Sequence, residues 1–411
     1  MVHSCIFLLL LQLFSECAAH YLKVPFRVKN LSNDYPGYYV NLSIGFPYQE
    51  VEMILSTEFA DTIISSEYNS KEGFVPFYAF GKSLTVFSNL TNAGSNYSFY
   101  RSNYKTDEFH FDGVTVKDVS FVYVTKYPKY QVNVLGLNPL LPVASKINNV
   151  EIKYQSILNK LYDSKLISRR LFSIFQLSDQ GVVNNGTILF GAIDNKKFNE
   201  SLQTIDFEIN EVSNSRKRLG IYQGIYLNLT GLDFLHVIKD DKGNVYEFQI
   251  NLYTYKNNTM SNQPIKANID IDFWDYAMSF PKSISKIFFG KYLKLKIGDI
   301  YQPYDCRVAF KHDYFRFSFT NKIIKIPFSN FYNFDFYTED CVLTRDSIGV
   351  NSFSDNEVFL GDSFLRSLVM VYDFDSKEVS FSKLLNLTLP YEENIISVND
   401  SMSNYKDILS Y

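Results

Sequence analysis

The sequence predicts an all-β protein. Phe and Tyr supply nearly all of a 17% aromatic content, and with abundant Val, Ile and Thr they favour pleated strands over helices. Short alternating apolar and polar runs are punctuated by Gly, Asn, Pro and Ser, the rhythm of strands and turns. The clearest run is Tyr38 to Ser66. In it Val40, Leu42 and Ile44 alternate before Gly45 and Pro47, and Val51, Met53 and Leu55 alternate after them.

A chain of 411 residues, 46% hydrophobic and 20% charged, has the composition of an ordinary globular protein with core enough for more than one domain. The formal net charge of −4 argues against a surface built for nucleic acid or anionic membrane. No nucleic-acid partner is expected.

The chain opens with a short apolar core, Ile6 to Phe14, followed by Ser15 and Cys17-Ala18-Ala19. That core is too short to span a bilayer and suits a cleaved signal peptide covering residues 1–19. The mature chain then starts near His20 and keeps two cysteines, Cys306 and Cys341. In an oxidising compartment this pair implies one disulfide, worth about 3–4 kcal/mol in the chain-entropy account. Ten Asn-x-Ser/Thr sequons suit a secretory glycoprotein, among them Asn89, Asn96, Asn185, Asn228 and Asn257. Residues 391–411 read as a polar tail without the apolar stretch that a lipid anchor needs. A secreted or vacuolar, soluble and monomeric product without a membrane anchor is expected.

Along the mature chain, Leu22 to Val28 alternates like a strand, and Ser32 to Gly37 reads as a turn. Gly45-x-Pro47 then joins the two strands of the Tyr38–Ser66 run. This hairpin resembles the opening of the pepsin-like aspartic proteases, YxxxIxIGTPxQxFxVxFDTGSSxLWV, without a gap. Ile44, Gly45, Pro47, Gln49, Val51 and Thr57 coincide with it. In that register Ser56 stands where the family has its first catalytic aspartate, and Glu58 where it has the glycine of Asp-Thr-Gly. Asp61 fits as the polar residue ahead of Thr62-Ile63-Ile64; as the aspartate it would need five extra residues within a strand.

Further matches follow the same order. Asp107, Gly113 and Val119 correspond to the stretch after the family's flap hairpin, with Tyr100 as candidate flap tyrosine. Gly136 of Asn133 to Pro139 matches the segment beside the first catalytic loop. Ile157, Leu158, Leu161 and Tyr162 sit at helical spacing, and Gly186 to Phe198 matches a GxILFGGxDxxKY run. The resemblance is most specific from Val358 to Lys383, where it is nearest to the yapsin and candidapepsin branch. It implies a bilobal pepsin-like fold, 20–205 forming the first lobe and 206–390 the second, with a cleft between them. The short stretch between His20 and Gly37 leaves no room for the basic pro-segment that plugs the cleft of such enzymes.

The second catalytic loop falls in Lys266 to Pro281. Counting back from Pro281 gives Asp272, the preferred register because it keeps the loop length; counting from Ala267 gives Asp270. With Asp272 as anchor, Phe273 and Trp274 replace the threonine or serine and the glycine. Catalysis in this family needs two aspartates sharing a proton around one water, so the resemblance implies a homologue that has lost cutting and binds peptide or protein, with Thr57 and Tyr100 in contact with that ligand. The alternatives are an active endopeptidase with a rearranged pair, to which Glu58 is a candidate contributor, and a structural glycoprotein with an idle cleft. Ser56 lacks a histidine motif to activate it. No His/Cys cluster has metal-ligand spacing, and no cofactor is expected.

Overall fold

The computed structural model describes residues 21–29, 37–65, 78–93, 101–126, 133–140, 146–147, 150–151, 155–179, 182–211, 223–240, 242–255, 264–271, 278–292, 303–304, 312–320, 322–335, 340–343, 348–351, 356–385 and 393–403. The architecture is all-β, and its strands gather mainly in two sheets, one of thirteen strands and one of nine. The larger is built mostly from the first half of the chain. Its hairpin Gly37–Ile44 and Gln49–Ser56 pairs in the register Tyr39 to Ile54 through Ile44 to Gln49, so the alternation seen in the sequence becomes one buried face. Gly45 makes the turn possible. Its φ is +73°, and a Cβ there would lie 2.3 Å from Ser83 Oγ, beside the buried Asp107 carboxylate that Ser83 Oγ binds at 2.8 Å.

The smaller sheet runs through Gln223–Lys239, Ile265–Asn268 and Glu357–Phe359. Asp206 ends a strand of the first sheet, and Glu208–Glu211 pairs with Gln223–Tyr226 in the second, so the chain changes sheet at Phe207. Two late strands go back. Leu368–Asp373 and Glu378–Lys383 fall inside the range expected for the second lobe yet pair into the first sheet, against Leu171–Asp179 and Gln203–Asp206. They tie the two halves together.

The two halves repeat one construction. Gly37-Tyr38-Tyr39-Val40-Asn41-Leu42-Ser43 and Gly224-Ile225-Tyr226-Leu227-Asn228-Leu229-Thr230 share Gly, Tyr, Asn and Leu at the same offsets. In the first half Tyr39 pairs with Ile54, which also lies parallel to Val134. In the second Tyr226 pairs with Asn268, which also lies parallel to Phe359. Ile54 and Asn268 are therefore equivalent, and so, two residues on, are Ser56 and Asp270.

The strand Leu22–Lys29 is interior, paired to Val182–Phe190 on one side and to Gly37–Ile44 on the other. Arg27 and Lys29 also reach the buried Glu52 at 3.0 and 2.7 Å. Helical spacing at 157–162 becomes the helix Ile157–Asp163, capped by Ser156 Oγ accepting from Asn159 N, with Ile157, Leu158 and Leu161 buried. The stretch 391–411, expected as a polar tail, instead contributes the strand Ile395–Ser397, paired with Ala192–Asp194. Val398 and Met402 are buried against Leu171, Phe175 and Val371. Too few apolar residues stand in a row there to mark a strand; the docking depends on a sheet face made about two hundred residues earlier.

Candidate functional site

Where the repeated units meet, their loops are hydrogen-bonded to each other. Thr57, directly after the strand Gln49–Ser56, is fully buried. Its amide donates to the Ile271 carbonyl at 2.9 Å, its hydroxyl accepts from Ile271 N at 2.8 Å, and the same hydroxyl donates to Asp270 Oδ1 at 2.9 Å. The bonding is one-sided, because Ile271 has no hydroxyl to return it.

Asp270 is held on its other oxygen as well. Oδ2 accepts from Asn268 Nδ2 at 2.7 Å and from Ile225 N at 3.0 Å. Gly224 makes room for this arrangement, since a Cβ there would lie 2.7 Å from that oxygen. Next to the site the Tyr372 hydroxyl donates to the Ile269 carbonyl at 2.6 Å. Burial, and then the Asp270 charge, push its pKa well above the usual phenol range, so it stays a donor.

On the opposite side Ser56 is buried, its carbonyl accepting from Leu137 N at 2.8 Å and its hydroxyl from Glu58 N at 3.2 Å. Glu58 and Asp61 are also buried. Gly136 packs so closely that a Cβ would sit 2.4 Å from the Asp61 carbonyl oxygen. A second polar cluster supports the hairpin Phe87–Ala93 and Arg101–Phe111, where Asp107 accepts from Tyr78, Ser83 and Thr85 hydroxyls. Burial, with Asp107 beside it, pushes the Tyr78 phenol far above its ordinary range.

A family model described as eukaryotic aspartyl protease matches residues 37–222 and 228–384. The chain belongs to the eukaryotic aspartyl protease family. It is 24% identical to an acid protease of Saccharomycopsis fibuligera over 86% of this chain and 82% of that one. It is 23% identical to the aspartic proteinase yapsin-3 of Saccharomyces cerevisiae over 95% and 80% of the respective chains. Candidapepsin-3 of Candida albicans is 25% identical over 68% of this chain and 58% of its own.

Within this aspartyl protease homologue the structure joins some of the residues singled out in the sequence and leaves others apart. It brings Thr57 to Asp270. Asp272, preferred on loop length, lies outside the described residues, as do Phe273, Trp274, Tyr100 and Cys306. Counting by sheet register places Asp270 opposite Ser56, which makes the stretch to Pro281 two residues longer than the proline spacing assumed. The Thr57 hydroxyl, expected to contact ligand, is buried and bonded between the two loops. Cys341 lies in the strand Asp340–Leu343 and pairs with Tyr304, two residues before Cys306.

Of the sequons, Asn185 is exposed and Asn89 lies in the strand Phe87–Ala93, while Asn96 and Asn257 lie outside the described residues. Asn228 is engaged, its amide donating to Glu208 at 3.2 Å and its oxygen accepting from Lys266 at 2.8 Å. Bonds from Asn210, Lys266 and Asn228 hold the Glu208 carboxyl down at about 2. Sequence reasoning missed Asn268, Gly224 and Tyr372. The repeated Gly-x-Tyr-x-Asn-Leu was the signal that could have found Gly224.

Proposed function

We propose that this aspartyl protease homologue binds peptide or protein segments in the cleft between its lobes without hydrolysing them. One observation carries the reading: Asp270, the residue equivalent to Ser56, has both carboxylate oxygens taken by Thr57, Ile225 and Asn268. Water activation in this family requires two carboxylates a few Å apart, one protonated and one not. A serine at one of the two equivalent positions and a carboxylate at the other supply no such split. The leader-like residues 1–19 and the sequons support passage through the secretory route, in keeping with the Candida albicans relatives named secreted aspartic proteases. The ligand is a peptide or protein, and the binding unit is a monomer.

Purified protein incubated with a mixed peptide library over about pH 3–7, the range in which carboxylate pairs titrate, tests the reading. No pepstatin-sensitive cleavage is expected. A second reading, an aspartic endopeptidase with a rearranged pair, draws on the buried Glu58 two residues after Ser56 and on relatives named as proteases. It predicts pepstatin-sensitive products that disappear in Glu58→Gln.

A further inference from the structure

The opening hairpin carries an exposed aromatic cluster that belongs neither to the core nor to the Ser56–Asp270 site. Phe46 and Tyr48 flank Pro47 in the turn and are 52% and 65% exposed. Their rings meet edge to face at 6.0 Å, and the Tyr48 ring lies over that of His110 at 4.4 Å. His110 is fixed in turn, its Nδ1 hydrogen-bonded to Thr115 Oγ1 at 2.9 Å.

Sheet register puts a sequon on the same face. Ser43 pairs with Glu50 on one side and with His110 on the other, and cross-strand partners share a face. Along Gly37–Ile44 the residues Val40, Leu42 and Ile44 are buried on the core side, so Asn41 points the same way as Ser43, about 7 Å along the strand. Asn41 is exposed, and Asn41-Leu42-Ser43 meets the Asn-x-Ser/Thr rule. Its counterpart in the second half, Asn228, is bound up with Glu208 and Lys266. Beside Asn41, the cross-strand partner Glu52 is turned to Arg27 and Lys29.

We propose that Asn41 is N-glycosylated and that the first sugars of this glycan lie across the Tyr48 ring. In the transfer the Asn41 amide nitrogen bonds to the anomeric carbon of N-acetylglucosamine and gives up a proton. The bond from that carbon to the oxygen of a polyprenyl-pyrophosphate donor breaks, and the departing pyrophosphate oxygen takes the proton. The C–H face of the sugar suits the negative face of an aromatic ring. A glycan rooted one strand repeat away meets Tyr48 at high effective concentration, which gives the aromatic cluster an occupant where it would otherwise be left in water.

The full chain, secreted from a eukaryotic host behind that host's leader, tests this. Enzymatic release in heavy water should mark Asn41. Tetranitromethane should nitrate Tyr48 several-fold more slowly than in Asn41→Gln, a change at an exposed position that removes the sequon; a retained thermal transition checks the fold of the variant. Releasing the glycan from the folded, unsubstituted protein should restore fast nitration as well. An unmarked Asn41 would overturn the proposal. Nitration of Tyr48 at one rate with and without the sugar would also overturn it, leaving the aromatic cluster uncovered by the glycan.

Discussion

The Thr57 hydroxyl bridges the two halves of the molecule, accepting from Ile271 N at 2.8 Å and donating to Asp270 Oδ1 at 2.9 Å. A relative with a threonine or serine in the second loop could share that role; here Ile271 cannot.

Thr57→Val keeps the shape and removes both bonds, leaving a buried amide and a buried carboxylate oxygen each short of a partner. The expected loss is about 2–4 kcal/mol, read from urea unfolding. Thr57→Ser should recover most of it.

Tyr372→Phe removes the 2.6 Å bond to the Ile269 carbonyl, one residue before Asp270. The hydroxyl is fully buried, so the carbonyl gains no water in exchange. A loss of about 1–2 kcal/mol is expected in the same assay.

Asp373 is buried, and although Arg169 Nε reaches it at 2.9 Å, burial dominates and raises its pKa. A raised folded-state value means that this group's contribution is fully present below the unfolded pKa and is lost as pH rises through the folded one. The stability difference between the protein and Asp373→Asn should therefore move in favour of the variant between acidic and neutral pH. Paired denaturation curves across that range check the sign.

Glycan mapping by enzymatic release in heavy water should mark Asn185, which is exposed, and leave Asn228 unmarked. A sugar on the Asn228 amide would take the nitrogen that donates to Glu208 and crowd Lys266.

Much of the fold was legible because its signals are local. Alternation from Val40 to Leu55 is enough to specify a hairpin, and Ile157, Leu158 and Leu161 mark a helix by their own spacing. Asp270 was harder, because its place is set by Asn268 pairing with Phe359 about ninety residues later; counting to the nearest proline measures loop length, which insertion changes. The placement of Ile395–Ser397 and of Leu368–Lys383 was invisible for the same reason, since each depends on a sheet edge supplied by distant strands. Placing Ser56 at the end of the strand Gln49–Ser56 needed only the hairpin register.

The most direct measurement immobilises the purified protein, passes a mixed peptide library over it at acidic and neutral pH, and weighs what is retained and what flows through. Retention of a peptide subset at unchanged mass, with nothing shortened in the flow-through, is the predicted result. Shortened peptides that vanish when pepstatin is present would contradict it.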